Sequence, residues 1–194
     1  LWVRDQSGWL AAKTVDDFVT FTQKIVSSLQ SEVHVWITIN EPLVYTSNSY
    51  LTGQWPPQAK SFWKTIRVIQ HLVQAHQRAY QTIKILDPSL EIGLAKHNIH
   101  FSAKQPWGIN QLVARVSTYV WNEWFLNRVR NHQDFIGLNY YFHNSVDFTF
   151  GKHHQIVSDL GWELYPKGLY KVLKGLKRYK KPVYITEHGL ADKD

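Results

Sequence analysis

The chain contains no cysteine among its 194 residues, which excludes disulfide bonds and thiolate-ligated metal sites. It also lacks any run of about 18 apolar residues, so we expect no membrane partner. Methionine is absent, and the chain begins with Leu1 and Trp2. We expect that the natural N-terminus lies upstream, so the missing signal peptide leaves the localisation open, with the cytoplasm as a default.

Much of the net charge of +7 lies between Lys171 and Lys181, in the stretch KVLKGLKRYKK. A basic patch of this kind can bind nucleic acid. However, an apolar stripe would lie on the opposite side of a helix, which favours a solvated helix face; its residues are Leu169, Val172, Leu173 and Leu176. We therefore predict no nucleic-acid partner.

Short apolar segments alternate with amphipathic ones along the chain. Those rich in β-branched and aromatic residues predict strands over residues 33–40, 91–95, 135–141 and 182–187. Those with helical periodicity predict helices over residues 14–30, 61–86, 111–130 and 166–179. This alternation is typical of the α/β class, either a barrel or an open sheet. No glycine-rich phosphate loop follows a strand, which argues against the nucleotide-binding form.

Two of the predicted strands end in a glutamate, VHVWITINE at Glu41 and PVYITE at Glu187. In a parallel α/β barrel, the active site lies at the C-terminal ends of the strands. One such glutamate is a weak signal, because acidic residues commonly begin surface loops. A pair can cleave a glycosidic bond: one carboxyl protonates the leaving oxygen, while the other attacks the anomeric carbon or activates water.

Three motifs around these glutamates resemble glycoside hydrolase family 1. Residues 36–42 (WITINEP) resemble the acid/base motif, and residues 184–189 (YITEHG) resemble the nucleophile motif. Residues 134–141 (DFIGLNYY) resemble the signature of strand six. Supporting matches cover nearly the whole chain, at residues 2–18, 50–57, 71–93 and 161–169.

The resemblance implies a (β/α)8 TIM barrel, of which residues 1–194 form a single partial catalytic domain with about strands four to seven. It implies a retaining, β-glucosidase-like β-glycosidase that hydrolyses terminal β-linked sugars through a covalent glycosyl-enzyme. Glu187 would be the nucleophile and Glu41 the acid/base, with carboxyl groups about 5–5.5 Å apart. The expected partner is a β-glycoside substrate, and the family requires no cofactor and no metal.

Three residues near the glutamates would bind the substrate. Asn40 would hydrogen-bond the sugar 2-hydroxyl, a contact that strengthens in the transition state. Strand alternation places Asn139 and Tyr141 on one face and Tyr140 on the other. By resemblance, the Tyr141 hydroxyl would hold Glu187 ionised and oriented, while Tyr140 would pack outward against helices.

Other conspicuous side chains are weaker candidates. His34 and His76 lie within apolar patterns, and we expect them to be hydrogen-bonded core residues. Trp55 and Trp162 are either sugar platforms or loop anchors. Four histidines near loops have no carboxylate at metal-ligand spacing, which predicts no metal site: His97, His100, His153 and His154.

The sequence departs from the family pattern in three places. His188 stands where the family usually has Asn, and strand alternation should point it away from Glu187. The segment 98–134 is shorter than usual, which leaves the leaving-group preference open. By resemblance the chain starts after strand three and stops after strand seven, so we expect it to be inactive alone, within an active parent protein. The sugar and the oligomeric state also stay open.

Two alternative functions fit parts of the same pattern. An endo-β-glycanase of a related barrel family would share the glutamates at the ends of strands four and seven. A non-catalytic sugar- or protein-binding relative would share the fold, but such relatives typically lose one or both carboxylates. The motifs FIGLNYY and YITEHG favour the glycosidase over the glycanase.

Overall fold

The computed structural model describes residues 7–104, 108–146 and 156–193. The chain divides into two compact units. Among the described residues, the first unit contains residues 7–95 and 128–136. The second unit contains residues 96–104, 108–127, 137–146 and 156–193. A single domain over residues 1–194 stays a prediction.

Helices form much of both units. The α-helices are α1 (Lys13–Leu29), α2 (Pro42–Thr46), α3 (Phe62–Leu86), α4 (Ile109–Ser117), α5 (Trp124–Val129) and α6 (Pro166–Leu176). 3-10 turns cover Gly8–Leu10 and Lys177–Tyr179, and π-helical turns cover Ser47–Leu51 and Thr118–Glu123. In the part of the chain that the structure describes, no helix combines the length and apolarity needed to cross a membrane.

The strands are β1 (Val35–Asn40), β2 (Glu91–His97), β3 (His100–Ala103), β4 (Ile136–Tyr140), β5 (His143–Val146) and β6 (Val183–His188). One sheet has the strand order β1-β2-β4-β6, and the other contains β3 and β5. β1 and β2 pair in parallel, with Val35 opposite Glu91 and Asn40 opposite Ala95. The strands of the larger sheet are those that the sequence predicts, and this prediction is confirmed to within two residues at each end.

All four predicted helices are confirmed. The helix predicted over residues 111–130 is not α-helical throughout, because the π-helical turn Thr118–Glu123 joins α4 to α5. This turn carries Asn122, whose side-chain nitrogen donates to the Ile99 carbonyl at 2.7 Å and whose oxygen accepts from the Ile99 N–H at 2.9 Å. Hydrophobic periodicity does not reveal such a turn, since the apolar positions continue through it.

The core of the first unit forms where α1, α3 and β2 meet. Its buried residues are Val26, Ile83, Leu90 and Ile92, with Trp36, Tyr80 and Leu86 packed against them. Gly93 is required on β2, because a Cβ atom there would lie 2.6 Å from the Phe135 ring. β1 is the first strand in the order of the larger sheet and therefore lies at its edge. Its side chains Val35 and Ile37 are 48% and 44% exposed.

In the second unit, Tyr140 packs against α6. Its buried hydroxyl donates to the Tyr165 carbonyl at 2.8 Å, and a Cβ atom at Gly168 would overlap that hydroxyl. The prediction that Tyr140 packs outward against helices is therefore confirmed. The pair β3 and β5 was not predicted from the sequence, because HFSA and HNSV are short and mixed in polarity.

Candidate active site

Glu41 lies at the end of β1 in a backbone conformation that is rare for a residue with a side chain. Its φ of 47° and ψ of 56° are left-handed. The Glu41 N–H donates to the Ala95 carbonyl at 2.8 Å, which extends the strand pairing by one residue. Pro42 begins α2 directly afterwards, with a ring that is preorganised for a first helical turn. The strand, the left-handed turn and the helix together fix the Glu41 Cα.

A cavity of about 390 Å³ in the first unit contains the Glu41 side chain. Asn40, the last residue of β1, contributes to the same wall and is exposed. The aromatic members of the lining are Trp9, Phe18, Tyr45 and Trp55. Aromatic faces beside a carboxyl group match the alternating apolar faces and hydroxyl edges of a pyranose ring. Trp55 is 46% exposed and lines this cavity, and its role as a sugar platform or a loop anchor stays open.

Beneath this cavity wall, His76 of α3 is fully buried. Its Nδ1 lies 2.6 Å from the Thr38 hydroxyl, and Thr38 is another lining residue of the cavity. Burial lowers the pKa of His76 from 6.5 to about 4, because charging the imidazole there would cost solvation energy. The prediction of a hydrogen-bonded core histidine is confirmed for His76. It is wrong for His34, which is exposed at the start of the outer strand β1.

Glu187 lies near the end of β6 and accepts a hydrogen bond from Tyr141, the residue that the resemblance places beside it. The Tyr141 hydroxyl donates to Glu187 Oε2 at 2.7 Å, and both residues are half-buried. Tyr141 directly follows β4, while Glu187 is the fifth residue of β6. The expected contact is therefore present, and the chemical roles of the two residues stay predictions.

Asn139 shares a strand face with Tyr141 and is completely buried. Its side-chain carbonyl accepts a hydrogen bond of 2.5 Å from the Thr186 hydroxyl, next to Glu187. Thr186 was missed in the sequence, although its position directly before the strand-end glutamate could have drawn attention to it. Substrate binding by Asn139 stays a prediction.

His188 points to the other side of β6, as strand alternation predicts. Its Nδ1 lies 2.8 Å from the Tyr140 carbonyl oxygen, a distance at which the ring nitrogen donates a hydrogen bond. The imidazole is thus engaged by the backbone of β4. This contact agrees with the expectation that His188 points away from Glu187.

An aromatic cluster surrounds the Tyr141 ring in the second unit. Trp162 packs at 5.8 Å from Tyr141 and at 5.0 Å from Phe142, measured between ring centroids. The ring of His97, at the end of β2, lies 6.1 Å from the ring of Tyr141. Burial, together with the charge of Lys96, lowers the pKa of His97 from 6.5 to about 4. A neutral imidazole therefore lies beside the tyrosine that contacts Glu187.

No group of three or more histidine or acidic side chains within residues 7–104, 108–146 and 156–193 could hold a metal ion. Two of the four histidines considered for metal binding, His153 and His154, lie outside the described residues. The expectation of no metal stays a prediction.

The model of glycosyl hydrolase family 1 matches residues 2–130. The chloroplastic galactolipid galactosyltransferase SFR2 of Arabidopsis thaliana is 32% identical over 98% of this chain and 33% of its own length. The β-galactosidase of Saccharolobus solfataricus is 28% identical over 96% of this chain and 45% of its own length. The structure of the β-glycosidase from Pyrococcus horikoshii has a TM-score of 0.88 and 29% identity, covering 100% of this chain and 51% of that one.

The chain thus spans between a third and a half of the length of these relatives. The structural match and the alternation of strands and helices confirm that the chain has the fold of a partial (β/α)8 barrel. The family model ends before Glu187, whereas the match to the Pyrococcus structure extends over this whole chain, including the positions of Glu41 and Glu187.

Proposed function

Because the chain belongs to glycosyl hydrolase family 1, we propose that it supplies both catalytic carboxyl groups of a retaining β-glycosidase. Glu187 is the nucleophile, and Glu41 is the general acid and base. The observation that carries this proposal is the Tyr141 hydroxyl bonded to Glu187 at 2.7 Å. A donor on one carboxylate oxygen fixes the orientation of the carboxylate and the direction of its free lone pairs, as a nucleophile requires.

In the first step, Glu187 attacks the anomeric carbon while Glu41 gives its proton to the leaving oxygen. The bond to the leaving group breaks, and a covalent glycosyl-enzyme forms with inverted configuration. In the second step, Glu41 takes a proton from water, and the water oxygen displaces Glu187 with a second inversion. The product therefore keeps the β configuration.

The residues next to the two acids bind and orient the sugar in this proposal. Asn40 contacts the 2-hydroxyl, where charge develops beside the anomeric carbon. Tyr141 contacts both the nucleophile and the sugar bonded to it. For Asn139, the hydrogen bond to Thr186 supports a role in fixing β6 beside Glu187.

Mechanism-based trapping tests the assignment of the nucleophile. A 2-deoxy-2-fluoro-β-glycoside with a good leaving group would be added to a protein that joins this chain to the strands needed to close the barrel. We expect a covalent adduct on Glu187, mapped by peptide mass spectrometry, and a β-configured first product by NMR. An adduct on another residue, or an α-configured first product, would contradict the proposal.

We also propose that the 194-residue chain has no sustained activity by itself. Among the described residues, its larger sheet has four strands, and the outer strands expose apolar side chains such as Ile37 and Ile185. A sugar site at the centre of an eight-stranded barrel requires walls that this sheet does not supply. Assay of the isolated chain on an aryl β-glucoside tests this: continued turnover that Glu187→Ala abolishes would refute the inactivity and support the nucleophile.

The relative that is 32% identical supports a second candidate function, glycosyl transfer. In this reaction, a sugar hydroxyl in place of water displaces Glu187, and Glu41 takes its proton. A galactoside donor and a galactose-containing acceptor, offered to the barrel protein, would distinguish the two reactions. Transfer product that increases with acceptor concentration supports transfer, whereas free galactose at every concentration supports hydrolysis.

A further inference from the structure

A serine, a histidine and a glutamate form a continuous hydrogen-bonded chain in the second unit. The Ser102 hydroxyl of β3 lies 2.7 Å from Nε2 of His143, on the neighbouring strand β5. The other ring nitrogen, Nδ1, lies 2.6 Å from Oε2 of Glu163. None of these three residues takes part in the glycosidase proposal.

The order of contacts fixes the direction of the hydrogen bonds. A carboxylate only accepts, so the Glu163 carboxylate places the imidazole proton on Nδ1 of His143. In the neutral ring, Nε2 then carries the lone pair and accepts the proton of the Ser102 hydroxyl. This is the arrangement by which a histidine activates a serine nucleophile in serine hydrolases.

The surrounding structure holds the histidine in this orientation. His143 is 7% exposed, and its ring stacks on Tyr165 at 4.6 Å and on His100 at 5.2 Å. The His143 N–H also reaches the Glu163 carbonyl at 3.4 Å, so backbone and side chain bring these two residues together. A general base with so little freedom needs no rearrangement before it accepts a proton.

Ser102 borders a cavity of about 460 Å³ in the second unit. Its lining is mixed: Phe101, Ala114 and Tyr119 supply apolar surface, and charged side chains come from Arg115, Glu123 and Arg178. The volume is within the range of small-molecule sites, and the apolar part of the lining offers a surface for a short acyl chain.

We propose that Ser102 is a nucleophile that takes an acyl group from short-chain esters, with His143 as general base and Glu163 as the group that orients it. Ser102 Oγ attacks the ester carbonyl carbon, its proton moves to His143 Nε2, and that proton passes to the departing alkoxide as the alcohol leaves. Water then attacks the acyl-serine through the same histidine, which releases the acid and restores the Ser102 hydroxyl. The reaction consumes one ester and one water.

The experiment uses the 194-residue chain with a fluorophosphonate probe and, separately, p-nitrophenyl butyrate. We expect one labelled residue, Ser102, by peptide mass spectrometry, together with release of p-nitrophenol. Ser102→Ala should abolish both signals, and His143→Gln should slow both by about 100-fold, the low end for general acid–base catalysis. Ser145→Ala is the matched control, because Ser145 lies opposite Ser102 in the strand register and is exposed. It should leave both signals unchanged.

Labelling must also require the folded protein. We expect the Ser102 signal to disappear when the chain is unfolded in guanidinium chloride, and circular dichroism shows whether each variant keeps the native spectrum. Failure to label Ser102 in the folded chain would overturn the proposal. Equal labelling of Ser102 and Ser145, or labelling of Ser102 that survives His143→Gln in a folded variant, would overturn it as well.

Discussion

The two strand-end glutamates are held in different ways. Glu41 owes its position to the backbone, since its N–H pairs with Ala95 and its left-handed φ turns the chain directly into α2. Glu187 lies in regular strand geometry, and its carboxylate is bonded by the hydroxyl of Tyr141. The backbone thus fixes the Cα of Glu41, and a tyrosine hydroxyl directs the carboxylate of Glu187.

The largest expected effect concerns the nucleophile. Glu187→Gln in the barrel protein should lower turnover of an aryl β-galactoside by at least about 10⁴-fold, because the covalent route is lost. Glu32→Gln, at an exposed glutamate, is the control and should leave the rate unchanged. A residual rate above one tenth of the parent rate would show that Glu187 is not the nucleophile.

Glu41→Ala should give an effect that depends on the leaving group. For an alkyl glycoside, which needs a proton on the departing oxygen, we expect a loss of about 10²–10⁴-fold. For a dinitrophenyl glycoside, formation of the glycosyl-enzyme should change little, and azide should restore turnover as a β-glycosyl azide. An equal loss of rate for both substrates would contradict the assignment of Glu41 as the acid/base.

A buried neutral histidine supports each strand end, and both should make stability depend on pH. The pKa values of His76 and His97, each about 4, lie below the unfolded value of 6.5. The unfolded chain therefore binds protons first as the pH falls. Each histidine's contribution to the free energy of unfolding is complete above pH 6.5. At pH 4 this contribution, about 3 kcal/mol, has been lost.

Denaturant unfolding of the 194-residue chain at pH 7 and pH 4 measures this loss. The free energy of unfolding should differ less between pH 7 and pH 4 in His76→Leu and in His97→Leu, by about 3 kcal/mol in each variant. An unchanged pH dependence in either variant would mean that the pKa of that histidine is the same in the folded and the unfolded chain.

Tyr141→Phe should give the smallest catalytic effect of the series. The hydrogen bond to a charged group is worth about 1.5–3 kcal/mol, so kcat of the barrel protein should fall by about 10- to 150-fold. Tyr140→Phe is the matched control on the opposite face, where loss of the bond to the buried Tyr165 carbonyl should lower stability with little change in kcat. The reverse pattern would show that Tyr141 has a structural role.

Local pattern was sufficient to predict the main strands, which depend on β-branched and aromatic runs. The contact between Tyr141 and Glu187 joins residues 46 apart, and it was predicted only from the resemblance of their motifs to the family. The π-helical turn was not predictable, because Asn122 is drawn to the backbone of Ile99 by packing that periodicity does not encode. The same holds for Ser102, whose partner His143 is 41 residues away in the sequence.

The left-handed backbone at Glu41 has a consequence for how such a protein can evolve. That conformation is unfavourable by about 1–2 kcal/mol for any residue with a side chain, and glycine is free of it. A descendant in which the proposed acid role of Glu41 is no longer needed would therefore meet a backbone preference for glycine at this position. Under the proposed function, selection for turnover opposes that preference.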